Sequence, residues 1–208
     1  AAHAMMEAGQ GEGFTVDGAP AQGPFMQVIE DDTAARPVAI GNGTGREALL
    51  TLTTYGVPDV PPPAGGTGYA IERDYYTMEG APADPAQVAQ GTRLVTVLTV
   101  DPFGESRARL MIDDPLPAGF EIDNPSLVES GDIRALGWLD TTRAEHAEFR
   151  QDRFLAALDH QGGERVRVAY IVRAVTPGRF HHPAAQVEDM YRPHRRAWTD
   201  AGQVTVTP

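Results

Sequence analysis

The segment Arg93-Leu-Val-Thr-Val-Leu-Thr-Val100 limits the architecture of this chain more than any other stretch. After Arg93, every residue is apolar or β-branched, and no Gly or Pro interrupts the run. Such a strand can be covered on both faces, so it belongs in the middle of a sheet between two layers. Glu164-Arg-Val-Arg-Val-Ala-Tyr-Ile-Val-Arg173 alternates instead. Val166, Val168, Tyr170 and Val172 share one face, and Arg165, Arg167 and Arg173 share the other, as in a strand with one buried side. Both periods predict sheet.

Further strands are expected over 69–77, 107–113, 136–140, 147–150, 153–159, 186–191 and 204–206, with a helical turn over 124–130. Strands at this spacing, broken by turn residues, predict an all-β immunoglobulin-like or fibronectin-like sandwich over residues 67–208. A smaller β module is expected over 12–66, with strands at 14–18, 25–29, 38–40 and 48–55. Asp17-Gly18 is a hairpin-turn signal. Four short strands do not close a sandwich, so this module reads as part of a domain completed elsewhere. Residues 57–66 mark the boundary: their four prolines withhold backbone donors and their glycines loosen the chain. Residues 1–11 read as the end of a helix from a preceding domain, with Ala1-Ala-His-Ala-Met-Met-Glu-Ala8 stopped by Gly9 and Gly11. A chain opening on such a phrase rather than on Met is expected to be part of a longer protein.

Charge and composition remove several functions. With 29 acidic and 17 basic residues the net charge is −12, which repels nucleic-acid phosphate over most of the surface. No Cys is present, which excludes disulfides, thiolate metal sites and a Cys nucleophile within these residues. No run of about 18 apolar residues is available to span a bilayer.

Candidate chemistry is sparse. His181-His182 with Glu188 and Asp189 is the one arrangement resembling a metal cluster, but adjacent strand residues point to opposite faces, which favours surface turn residues. Asp31-Asp32 and Asp113-Asp114 lack the alternating acidic loop of calcium sites and read as solvated turns. Glu145-His146 and Asp152-Arg153 have no nucleophile to serve, since Ser106, Ser126 and Ser130 lie in polar turns without a nucleophile-elbow sequence. Gly41-Asn-Gly-Thr-Gly45 lacks the Lys-Ser/Thr ending of a phosphate loop. Arg192-Pro-His-Arg-Arg196 reads either as a charge-balancing loop or as a docking patch for an acidic surface. No catalytic residue, metal or cofactor is assigned. Met190 and Tyr191 are different: two neighbours at a strand end cannot both enter one core, and both side chains suit an adaptable apolar contact.

Three phrases carry a resemblance. Pro115-Leu-Pro-Ala-Gly-Phe-Glu-Ile-Asp-Asn-Pro125, Glu148-Phe-Arg-Gln-Asp-Arg-Phe-Leu-Ala-Ala-Leu158 and Pro183-Ala-Ala-Gln-Val-Glu-Asp-Met-Tyr191 are similar to the C-terminal region of bacterial alpha-2-macroglobulins, large secreted protease traps. The resemblance implies that 67–208 is the terminal macroglobulin-like domain. It implies that 12–66 is the later half of a bipartite β-sandwich, and that 1–8 close the thioester domain inserted there. In that family a protease cuts a bait segment, and a buried Cys–Gln thioester then acylates an amine of the protease. Burial keeps water from the thioester until that moment. The resemblance gives Met190 and Tyr191 the role of shielding the thioester and contacting the thioester domain, with no part in the chemistry. It further implies target proteases as partners through the full-length protein and a periplasmic location, leaving a lipid anchor open. The thioester itself cannot lie in a chain without Cys, and some relatives lack it. Two other readings stay open at this point: a structural or adhesive β-sandwich binding a surface protein or glycan, and a metal-dependent hydrolase.

Overall fold

The computed structural model describes residues 2–4, 13–21, 25–27, 37–50, 52–54, 60–104, 107–123 and 137–208. Every regular element among them is a strand. The chain divides into two compact units, Ala1–Asp59 and Val60–Pro208. The division falls within the Pro-rich stretch 57–66.

In the first unit, β1 (Ala2–Ala4) lies between β4 (Phe25–Gln27) and β6 (Leu52–Thr54), antiparallel to both. This corrects the helix expected at the N-terminus. Alanine favours a helix over other ordinary residues by at most about 0.7 kcal/mol per residue, and pairing along both edges of β1 outweighs that preference. Residues 5–11 lie outside the described residues. A second sheet places β2 (Phe14–Val16) between β3 (Ala19–Pro20) and β5 (Ile40–Asn42). Asp17 and Gly18 connect β2 to β3 with φ of 49° and 82°, the positive values a two-residue hairpin turn requires. Residues 48–50 carry no strand, and Leu49 and Leu50 are exposed.

The second unit is a β-sandwich. One sheet has the order β12 (Phe120–Ile122), β15 (Val166–Ala174), β10 (Arg93–Pro102), β8 (Tyr69–Tyr76). The facing sheet has the order β13 (His146–Phe149), β14 (Arg153–His160), β11 (Ala108–Pro115), β17 (Gln186–Asp189), β18 (Arg196–Trp198), β7 (Gly65–Thr67). A three-stranded sheet of β16 (Gly178–His182), β19 (Gly202–Thr207) and β9 (Gln87–Ala89) adds Val88, Val204 and Val206 to the same core. Alternation selects the core: Val166, Val168, Tyr170 and Val172 of β15 meet Leu110 and Ile112 of β11 and Phe154, Ala156 and Leu158 of β14.

β10 is buried along Leu94–Val100, as its composition predicts. Its other face, with Val95, Val97 and Ile171, is covered by Met78, Tyr76 and Leu139. That cover explains why residues 137–140 of the strand expected over 136–140 form none; residue 136 lies outside the described residues. Residues 137 and 138 make a turn, the Trp138 ring packs on Tyr76 with centroids 5.2 Å apart, and Leu139 seals the second apolar cluster. The segment lies on a sheet face and does not join an edge. The helical turn expected over 124–130 lies outside the described residues. Strands β7, β9, β12, β16 and β18 were not foreseen; each is five residues or fewer, too short to display a period.

Candidate functional site

β17 is antiparallel to β11, with Leu110 opposite Asp189 and Ile112 opposite Val187. Gln186 and Glu188 face solvent, while Val187 and Asp189 face inward. Asp189 is fully buried, and a buried carboxylate must find donors. It finds them in the turn that follows. Oδ1 accepts the Tyr191 N–H at 3.0 Å, and Oδ2 accepts Arg192 Nε at 2.6 Å. The Asp189 carbonyl accepts the Arg192 N–H at 3.0 Å, and its own N–H donates to the Arg195 carbonyl at 3.0 Å. Arg192 also donates through Nη2 to the Arg107 carbonyl at 2.6 Å, and Met190 N–H donates to the Arg109 carbonyl at 2.8 Å. Residues 189–195 therefore form a turn braced from beneath by one carboxylate.

Met190 and Tyr191 sit on that turn. The strand expected over 186–191 ends at Asp189: the Met190 N–H still reaches β11 through the Arg109 carbonyl, but the Tyr191 N–H turns back to the buried carboxylate and a turn follows. Both side chains face solvent, Met190 49 % and Tyr191 79 % exposed. An adjacent pair of large apolar side chains is thus held out on a hydrogen-bonded turn. The arrangement can fill a recess on a partner. It offers no nucleophile or base.

Sequence reading missed the polar contacts that hold the sandwich together. Asp189 was weighed as a metal ligand and Asp113-Asp114 as a solvated turn. Asp114 is in fact buried inside the sandwich, where its Oδ1 accepts Arg73 Nη1 at 2.6 Å and its Oδ2 accepts the Tyr170 hydroxyl at 2.7 Å. Burial raises the Asp114 carboxyl, opposed by the Arg73 charge and the Tyr170 hydroxyl. Arg73 also reaches the Pro183 carbonyl at 2.9 Å. Tyr170 stacks on Phe154 with centroids 4.4 Å apart. The network ties one sheet to the other, and parity gave the signal. Asp114 shares its face with Leu110 and Ile112, Arg73 with Ile71 and Tyr75, and Asp189 with Val187.

His181 and His182 are split as the strand period requires. His181 is exposed, but His182 is buried, with Nε2 2.9 Å from the Tyr75 hydroxyl. This corrects the surface-turn reading of His182: β16 supplies its strand, and Tyr75 supplies its partner. Burial, then the Arg73 and His181 charges, lower its pKa to about 3, so the ring is neutral and acts as acceptor when its proton is on Nδ1. Among the described residues, no three His, Asp or Glu side chains converge as a ligand set. Glu145 and Asp159 both pair with Arg109, at 3.4 and 2.7 Å. Arg153 pairs with Asp113 and Asp152, both at 3.1 Å. Asn42 Oδ1 receives the Thr44 N–H at 3.0 Å and closes the glycine turn. Asp31, Asp32, Ser106, Ser126 and Ser130 lie outside the described residues.

The fold and this turn define a macroglobulin-like, immunoglobulin-like β-sandwich domain. Residues 68–194 match the family described as the bacterial alpha-2-macroglobulin MG10 domain. The chain belongs to the bacterial alpha-2-macroglobulin family. It is 36 % identical over 160 residues to alpha-2-macroglobulin of Xylella fastidiosa, covering 73 % of this chain and 10 % of that protein. The crystal structure of Salmonella alpha-2-macroglobulin reacted with methylamine matches with a TM-score of 0.65 at 31 % identity, covering 74 % of this chain and 10 % of that one. Trypsin-activated alpha-2-macroglobulin from Escherichia coli matches with a TM-score of 0.63 at 30 % identity, covering 74 % and 11 %. The chain spans about a tenth of the length of the curated relatives it matches. Among the described residues, no helix is long and apolar enough to cross a membrane.

Proposed function

We propose that this chain is the C-terminal part of a periplasmic protease trap, and that Met190 and Tyr191 cover the thioester site on another domain of the same parent. The observation that carries the reading is the braced turn: a buried carboxylate holds two solvent-facing apolar side chains in place, within the segment that matches the family. The contact is pre-formed, so little ordering entropy is lost when the partner domain closes on it. Closure excludes water and small amines from an acyl donor. The chain supplies a shield and no chemistry, so it is not an enzyme by itself. The likeness to a Salmonella relative solved after reaction with methylamine, and to an Escherichia coli relative activated by trypsin, supports a parent that reacts with amines and answers to protease cleavage. Its partners are then the thioester domain of its own parent and, through the whole protein, target proteases. Residues 12–59 act as part of a β-sandwich completed by segments outside this chain, which agrees with strands of two or three residues there.

The test uses the full-length parent. Tyr191→Ala leaves the domain folded and raises the rate at which methylamine consumes the thioester before any protease is added. An unchanged rate in a thioester-bearing parent overturns the shielding role.

A further inference from the structure

Five large apolar side chains of the second unit are exposed among the described residues: Val60, Phe103, Trp138, Met190 and Tyr191. Three of them share one end of the sandwich. Phe103, 62 % exposed, follows β10, and its N–H donates to the Gly68 carbonyl at 2.9 Å. Gly68 lies directly against Arg195: a Cβ there would stand 2.6 Å from Arg195 Nε, and its φ is +86°. The Arg195 guanidinium lies over the Tyr69 ring, 5.3 Å from its centroid. Arg192 reaches from the Met190–Tyr191 turn to the Arg107 carbonyl at 2.6 Å. Phe103 at the end of β10 and Arg107 at the start of β11 are therefore each tied to the β17–β18 turn, and Phe103 belongs to the same platform as Met190 and Tyr191.

The platform has a sign. The chain as a whole carries −12, yet residues 190–196 contain three arginines and no carboxylate; the connection from β10 to β11 adds the exposed Arg107 against one carboxylate, Glu105, which leaves a positive excess. The carboxylate that enters this turn, Asp189, is buried beneath it. We infer that the docking surface extends beyond the Met190–Tyr191 pair, with Phe103 as a third apolar anchor and the exposed Arg107 as its basic rim, and that it takes a partner domain of the parent chain whose contact face is apolar at the centre and acidic around it. This rests on the reading of Met190 and Tyr191 as an interdomain contact. Aromatic anchors in a charged rim are where binding energy and register concentrate. A basic rim on an acidic protein is repelled by few other surfaces of the same charge sign as itself and is attracted to carboxylates, so it selects orientation.

Met190 supplies its own reporter, because a solvent-exposed thioether is oxidised by peroxide and a covered one is protected. The rate of Met190 sulfoxide formation is followed by peptide mass spectrometry in the uncleaved full-length parent. Wild type, Tyr191→Ala, Phe103→Ala and Arg107→Glu are compared, with urea-unfolded parent as the fully exposed reference. The expected result is slow oxidation in wild type and about fivefold or faster oxidation in Phe103→Ala and Arg107→Glu. Raising NaCl, which shortens the screening length from about 10 Å at 0.1 M to about 3 Å at 1 M, speeds oxidation in wild type and has less effect in Arg107→Glu. Wild-type rates in Phe103→Ala and Arg107→Glu overturn the inference. If Tyr191→Ala still exposes Met190 in that case, the shielding role stands and the contact is confined to the turn. Oxidation of native wild type as fast as of the unfolded reference overturns both.

Discussion

Asp189→Asn isolates the brace from everything it holds. The substitution keeps the side chain's shape but removes the charge that Arg192 Nε meets at 2.6 Å. If the amide oxygen continues to accept from one donor, its NH2 group must face the other, and a buried donor is then set against a donor. A hydrogen bond to a charged group contributes about 1.5–3 kcal/mol. Breaking a fully buried pair costs about 3–5 kcal/mol, but the Arg192 side chain is 36 % exposed and can turn to water. The expected loss is therefore about 2 kcal/mol, which in a unit of this size lowers Tm by about 4–8 °C. Scanning calorimetry of the 208-residue chain measures it. The control is Asp159→Asn, whose pairing with Arg109 is largely exposed and which leaves Tm close to wild type. Amide exchange at Tyr191 and Arg192 should rise in Asp189→Asn and remain unchanged in the control. If Asp189→Asn melts with wild type, or if both variants lose the same amount, the carboxylate does not organise the turn.

Other substitutions test the core. Tyr170→Phe deletes the donor to Asp114 Oδ2 while keeping the stack on Phe154; about 2 kcal/mol is expected by denaturant titration, against about 3–5 kcal/mol for Tyr170→Ala. His182 has a folded pKa near 3, below the ordinary value of 6.5. The unfolded chain therefore binds the extra proton first, so the stability His182 contributes is complete above pH 6.5 and declines as pH falls towards 3. The wild-type minus His182→Gln difference in unfolding free energy should shrink by up to about 1.4 kcal/mol per pH unit below 6.5; a flat difference from pH 6.5 to 4.5 would falsify the buried neutral assignment. Limited proteolysis should cut on the N-terminal side of Pro63, because the Pro63 carbonyl accepts Trp198 Nε1 at 2.8 Å and Ala64 N–H donates to Asp200 at 2.6 Å. A first cut between Ala64 and Thr67 contradicts that anchoring.

The strands of the sandwich were legible wherever period and length were both sufficient. β10 and β15 announced themselves because every second residue, or every residue, had to be apolar. The short strands were not legible: β7 is Gly65-Gly-Thr67, and only its pairing with β18 makes it a strand. Ala2–Ala4 misled because alanine carries a helix preference with nothing in the local sequence to show the two strands that flank it. Polar residues misled for a different reason. Asp114, Asp189 and His182 were judged by chemical type, whereas their position in the alternation placed each on a buried face. Once the period is trusted, a carboxylate in phase with Leu110 and Ile112 is a demand for a buried partner, and the partner turns out to be an arginine in phase with Ile71. Met190 and Tyr191 were legible as a pair that one core cannot hold, but the turn that presents them was not, because the brace runs through Asp189.

The shielding role is tested most directly by the structure of the uncleaved full-length parent, determined by single-particle electron cryomicroscopy. A shield places Met190 and Tyr191 buried against the domain that carries the Cys-x-x-Gln segment, with the Tyr191 ring over the thioester. Met190 and Tyr191 standing in solvent, or covered by a domain remote from that segment, would contradict it.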